Sequence, residues 1–181
     1  MSNSKFEPVT LMAGWGPNYP SKLIIGSRTY NTNPNDSSIS NAYWYIVVDR
    51  RDLSVPFNQL VAGNSEYPKG LDTFLGSSNY YIWISTKDMK SDQLPVGNLL
   101  KLMESLGATA NLTKALQIAN QIGTGTFELV TYSMASSTDQ RQQSAFDQYS
   151  FFQTDALLVP LMFGSVQSEQ GTIWILGEVR N

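Results

Sequence analysis

The stretch Ala42–Asp49 (AYWYIVVD) constrains this chain more than any other. It is aromatic and β-branched, which marks a strand. From Tyr43 to Val48 both of its alternating faces are apolar. Such a strand is either covered on two sides or carries a binding face on one of them. Tyr80–Thr86 (YYIWIST) is a second strong strand.

The remaining elements arrange themselves around these two. Lys22–Tyr30 (KLIIGSRTY) reads as a short strand, followed by a turn-rich loop over residues 31–41. Leu53–Leu60 reads as a strand interrupted by Pro56, hence an edge or a bulge. Pro68–Leu75 is expected to be a short helix ended by Gly76, and Asp88–Gln93 a polar turn. Val96–Leu106 is the clearest helix. Leu99, Leu102, Met103 and Leu106 recur at helical spacing, and Gly107 is placed to be its C′ residue. Leu112–Ile122 repeats the pattern through Ala115, Leu116 and Ala119. Phe127–Ala135, Ala156–Phe163 and Thr172–Val179 read as strands. Ser136–Ser150 is polar and Gln-rich and reads as a loop with some helical character.

The helices cluster between Pro68 and Ile122, and no Gly-rich phosphate loop follows the first strand. The expected fold class is therefore α+β: a small two-sheet sandwich of mostly antiparallel strands with two or three flanking helices. With 181 residues and neither an internal repeat nor a linker, residues 1–181 are expected to form one domain.

Three runs, YWYIVVDRRDLSVPFNQL, KGLDTFLGSSNYYIWISTKDMKSDQLP and LLKLMESLGAT, carry a family resemblance over roughly residues 40–135. A hydrophobic strand (Tyr43–Asp49) leads to a strand holding Phe57. A short amphipathic helix (Leu71–Leu75), an apolar strand closing on an acidic turn at Asp88, and a helix (Leu99–Gly107) follow. This order resembles the interleukin-like EMT-inducer, or GG, domain. The resemblance implies a compact sandwich of two small sheets with flanking helices. It also implies a non-catalytic role like that of cytokine-like and carbohydrate-binding relatives. Residues 1–39 and 136–181 would then be extensions completing the sheets.

Composition removes several chemistries. Cysteine and histidine are both absent, so disulfides, cysteine nucleophiles, Ser-His-Asp triads and His/Cys metal sites are excluded. Net charge is −3, and no basic cluster exceeds Arg50–Arg51. Nucleic acid is therefore not an expected partner, since binding its phosphates needs a positive field. No apolar run approaches a membrane span and no basic membrane-surface helix is present. The start MSNSKFEPVT lacks a basic stretch followed by an apolar one. No signal peptide is expected, and the chain is expected in the cytoplasm, on a particle, or exported by a non-classical route. Charged residues make up 15%, low for a globular chain. The polar but weakly charged remainder is common in particle-borne and carbohydrate-binding proteins.

Aromatic residues supply the candidate ligand site. On strands, Tyr43 and Tyr45 share one face, and so do Tyr81 and Trp83. If the two strands are neighbours, these four could line one surface and stack on sugar rings, although core packing beneath the helices is the competing reading. Trp15 and Tyr19 lie in a Gly/Pro-rich loop and are expected to contact a ligand or a neighbouring subunit. Asp88 and Asp92, with Asp49 and Asp52, are weak metal or acid–base candidates. Their spacing fits neither an EF-hand nor any acid–base motif, and turn carboxylates usually bond local backbone. The chain is thus expected to be no enzyme and to need no cofactor. It is expected to be a lectin-like binding module for carbohydrate or a surface protein. The alternative is a structural or assembly subunit of a particle, injection apparatus or filament. Either way a homo-oligomer or larger assembly is expected.

Overall fold

A computed structural model describes residues 5–14, 19–32, 39–122, 129–141, 145–151, 157–169 and 171–178. The elements are β1 (Phe6–Ala13), β2 (Lys22–Ile25), β3 (Arg28–Asn31), β4 (Ala42–Asp49), β5 (Phe57–Ala62), β6 (Tyr80–Lys87), β7 (Met89–Lys90), α1 (Gly97–Ser105), α2 (Ala110–Ile122), β8 (Leu129–Ser137), β9 (Ala145–Phe151), β10 (Leu157–Ser168) and β11 (Gly171–Glu178). They form two antiparallel sheets. One has five strands in the order β11-β10-β1-β2-β3. The other has six, β5-β4-β6-β8-β7, with β9 on the far side of β8. Among the described residues the architecture is a β-rich sandwich with two α-helices, and it is not a closed barrel.

Alternation along β4 and β6 builds two cores. Trp44, Ile46, Val48, Tyr81 and Trp83 point between the sheets and meet Val9, Leu11, Leu23, Ile25, Leu161 and Phe163. Tyr43, Tyr45, Val47, Ile82 and Ile84 point the other way, onto Leu99, Leu102, Met103, Leu106, Leu112 and Ala115 of the helical layer. This is why both faces of Ala42–Asp49 are apolar: the strand is the middle of three layers. Trp44 and Trp83 are fully buried, and truncating either to Ala should cost about 3–5 kcal/mol.

Several expectations shift. Lys22–Tyr30 is a hairpin rather than one strand, because Gly26 turns the chain at φ 57°. Leu53 is not in a strand. It sits at φ 59° in the β4–β5 turn, held there by burial among the inter-sheet residues, and β5 begins only at Phe57. Where the sequence predicts a loop with some helical character over Ser136–Ser150, Ser136 and Ser137 finish β8, and Ala145–Phe151 forms β9, which pairs back along it from Ser136↔Ala145 to Val130↔Phe151. The short helix after Pro68 is a 3-10 turn, Lys69–Thr73. Helix α1 ends as its sequence predicts. Gly107 adopts φ 100°, its N–H donating to Glu104 and that of Ala108 to Met103, which closes a Schellman motif.

One bulge interrupts the six-stranded sheet. Between the pairs Ser85↔Ser133 and Met89↔Val130, β6–β7 carries one residue more than β8. The buried Thr86 hydroxyl fills the gap, accepting from the Tyr132 N–H at 2.8 Å and donating to the Tyr132 carbonyl.

Candidate functional site

The four strand aromatics do not line one surface. The β4–β6 register sets Tyr45 opposite Ile84 and Ile46 opposite Trp83. Tyr43 and Tyr45 therefore share the helical side, whereas Tyr81 and Trp83 share the inter-sheet side with Trp44. Three of the four have no exposed surface, and Tyr81 is 7% exposed. Tyr43 donates to the Gln93 carbonyl at 3.2 Å, while the Tyr45 hydroxyl and the Trp83 indole N–H have no partner among the described residues. Burial pushes both tyrosine hydroxyls well above their ordinary value, Tyr43 further through its neighbour Tyr45. Tyr81 and Trp83 pack on the Phe163 ring, with centroids 5.5 and 6.0 Å away. Trp15 lies outside the described residues, and Tyr19 is 47% exposed.

Asp88 and Asp92 both fall outside regular strands after β6. Asp88 occupies φ 48° at the break between β6 and β7, its N–H on the Gly14 carbonyl and its own carbonyl taking the Asn41 N–H. Asp92 is exposed in the 3-10 turn Ser91–Gln93 and lines a pocket of about 200 Å³ with Leu94, Val96 and Leu116. Among the described residues no three acidic groups gather where they could hold a metal.

Two other features emerge. The first is the outer face of the five-stranded sheet, which carries no helical layer among the described residues. Alternation from the buried Val9, Leu11, Leu161, Phe163 and Leu176 places Phe6, Pro8, Met162, Val166, Ile173 and Ile175 outward. Phe6 is 63% exposed, Val166 and Ile175 45% each. The register aligns Phe6, Gly164 and Ile175 across three strands, with Met162 and Gly177 beside them. The two glycines leave a groove of about 370 Å³ beside the Phe6 ring. Exposed apolar patches of this kind mark interaction sites.

The second lies at the end of the sandwich where β4 turns into β5. Asp49 and Asp139 each take the side chain of an arginine two residues on, with Arg51 Nε at 2.9 Å and Arg141 Nε at 2.8 Å. These bonds hold both carboxyls below the ordinary aspartate range. Arg50 has no carboxylate at ion-pair distance among the described residues. It is fixed instead to backbone: Nε donates to the Trp174 carbonyl at 3.2 Å and Nη1 to that of Ser78 at 2.7 Å. The Arg50 carbonyl accepts the Trp174 N–H, and its guanidinium stands 5.0 Å over the Tyr81 ring. Together with the Leu176 N–H on the Tyr81 hydroxyl, these bonds occupy the outer edge of β11, which would otherwise invite strand pairing. A cleft of about 170 Å³ opens between the sheets here, lined by Arg50, Tyr81, Ser136, Ser137, Phe146 and Leu176 among others.

Sequence reasoning missed both features. The signal for the second was present: Asp49-Arg50-Arg51 and Asp139-Gln140-Arg141 repeat one Asp-x-Arg spacing at two strand ends. The first is hidden because the apolar outward residues Phe6, Pro8 and Met12 erase the alternation of Phe6–Ala13. No family model matches the sequence, and no curated protein matches it. The GG-domain resemblance gains no support from these comparisons.

Proposed function

We propose that this chain is a non-catalytic assembly subunit whose outer five-stranded face packs against a second copy. The observation that carries the reading is the apolar, nearly charge-free character of that face. Of its outward positions on β1, β2, β10 and β11, alternation makes Lys22 the charged one among the described residues, and Glu178 at the end of β11 lines the groove. A face without like charges meets its own copy without repulsion, which favours an isologous contact. Strands about 4.8 Å apart and about 25 Å long give this face roughly 500 Å². Two copies would then bury about 1,000 Å² in total, the threshold of a specific interface.

Burial of Tyr43, Tyr45 and Trp83 withdraws the aromatic surface on which a lectin-like reading rested, so assembly is preferred over carbohydrate binding. The native mass of the purified chain, by light scattering after size exclusion, tests this. A mass at least twice the 20.1 kDa of one chain is expected. A clean monomer at high micromolar concentration refutes it.

A further inference from the structure

We infer that the cleft between Arg50 and Phe146 binds a small carboxylate borne on a short apolar stem. This does not rest on the assembly reading, since the cleft lies at the end of the sandwich and not on its outer face.

The hydrogen-bonding inventory selects the ligand's charge. The Tyr81 oxygen already accepts the Leu176 N–H at 3.0 Å, and the Ser137 Oγ already accepts the Asp139 N–H at 3.1 Å. What each has left is its O–H hydrogen, with no acceptor among the described residues. Arg50 has spent Nε and Nη1 on carbonyls, and its Nη2 has no protein partner among them. Three groups thus have donors to spare, and no acidic side chain lines the cleft. Such a set accepts an anion and rejects an ammonium group. The two neighbouring arginines are neutralised by Asp49 and Asp139, so the cleft's net charge comes from Arg50 alone. One positive charge suits a monoanion.

The walls select the rest. Phe146 and Leu176 give an apolar side that a bare inorganic anion would leave in contact with nothing. The volume, about 170 Å³, holds the equivalent of about six waters at about 30 Å³ each, enough for a short acid and too little for an oligosaccharide. The donors are preorganised: two side-chain bonds, two backbone bonds and the Tyr81 ring hold Arg50 in place before any ligand arrives.

Two sources share this chemistry, a free short-chain acid and the C-terminal carboxylate of a polypeptide ending in an apolar residue. Isothermal titration of the intact chain with hexanoate and with hexanamide addresses the first. N-acetyl-alanyl-leucine and its C-terminal amide address the second. Saturable binding of at least one acid at millimolar concentration, about tenfold or more tighter than its amide, is expected. The acid that binds identifies the source. Arg50→Gln should weaken that binding at least about tenfold. Should this variant not fold, Tyr81→Phe, with folding verified by circular dichroism, should show a several-fold loss. No binding of either acid, equal binding of acid and amide, or unchanged affinity in the folded variants overturns the inference.

Discussion

Replacing Tyr45 with Phe should stabilise the protein, whereas the same change two residues earlier should destabilise it. Tyr43 and Tyr45 share a strand, a face and complete burial. They differ in one respect: the Tyr43 hydroxyl donates to the Gln93 carbonyl, and the Tyr45 hydroxyl has no partner among the described residues. A buried hydroxyl without a partner costs about 1–3 kcal/mol, and a made bond returns about 1 kcal/mol net. Removing the orphan should therefore raise stability by about 1 kcal/mol after allowing for the small void left behind. Tyr43→Phe should lower it by about 1–2 kcal/mol, because the Gln93 carbonyl loses its donor. For a chain of this length 1 kcal/mol moves the melting temperature by about 3 °C, so the two variants should melt about 5 °C or more apart. Calorimetry and urea midpoints at pH 7 measure both. If Tyr45→Phe melts lower than wild type by several degrees, a partner or an ordered water holds that hydroxyl, and the account of the helical core is wrong there. Two near-zero effects would place both rings at a solvated surface and restore the aromatic ligand site.

Other outcomes follow from the same geometry. Thr86→Val should cost about 2–3 kcal/mol, read by urea denaturation, because it leaves the Tyr132 N–H buried and unpaired at the bulge. The carboxyls of Asp49 and Asp139 are lowered from their ordinary 3.8 in the folded state. Their contribution is complete above that value and disappears as pH falls through the lowered ones, so Asp49→Asn combined with Asp139→Asn should flatten the acid limb of a stability-versus-pH profile. At the alkaline end the hydroxyls of Tyr43, Tyr45 and Tyr132 are raised above 10.0. They favour folding below that pH and cease to as pH rises beyond it. An absorbance titration at the phenolate band should therefore show three tyrosines ionising only with unfolding.

Sequence patterning carried the middle of the molecule well and its margins poorly, for physical reasons. Ala42–Asp49 and Tyr80–Thr86 were legible because the central layer must be apolar on both faces, and that signal needs no neighbour to interpret it. Helices α1 and α2 were legible because one face of each packs on the sheet, giving spacing at 3.6 residues. By contrast β1 alternates Val9, Leu11 and Ala13 inward against Phe6, Pro8 and Met12 outward. An apolar outer face erases the alternation, and Pro8 looks like a breaker. It is tolerated because β2 pairs with β1 only from Val9 onward. Pro160 lies likewise just beyond the reach of β11, whose pairing with β10 starts at Leu161. The face that hid β1 is the one proposed for assembly. The aromatic residues were correctly assigned to alternating faces, but which faces meet depends on the β4–β6 register, and that is set by contacts distant in sequence. Arg50 was visible only as half of a basic pair. Its distinction from Arg51 lies in a backbone contact with residue 174, far along the chain.

Sedimentation equilibrium of wild type beside Gly177→Lys tests the assembly account most directly. A Cβ at Gly177 meets nothing within 4 Å, so lysine fits the isolated fold while placing a charge opposite Met162 in the apolar groove. The wild type should sediment as a dimer or larger species. The variant should fall to 20.1 kDa with an unchanged circular dichroism spectrum. A wild type that stays at the monomer mass at every concentration, or a variant that keeps the wild-type mass, contradicts it.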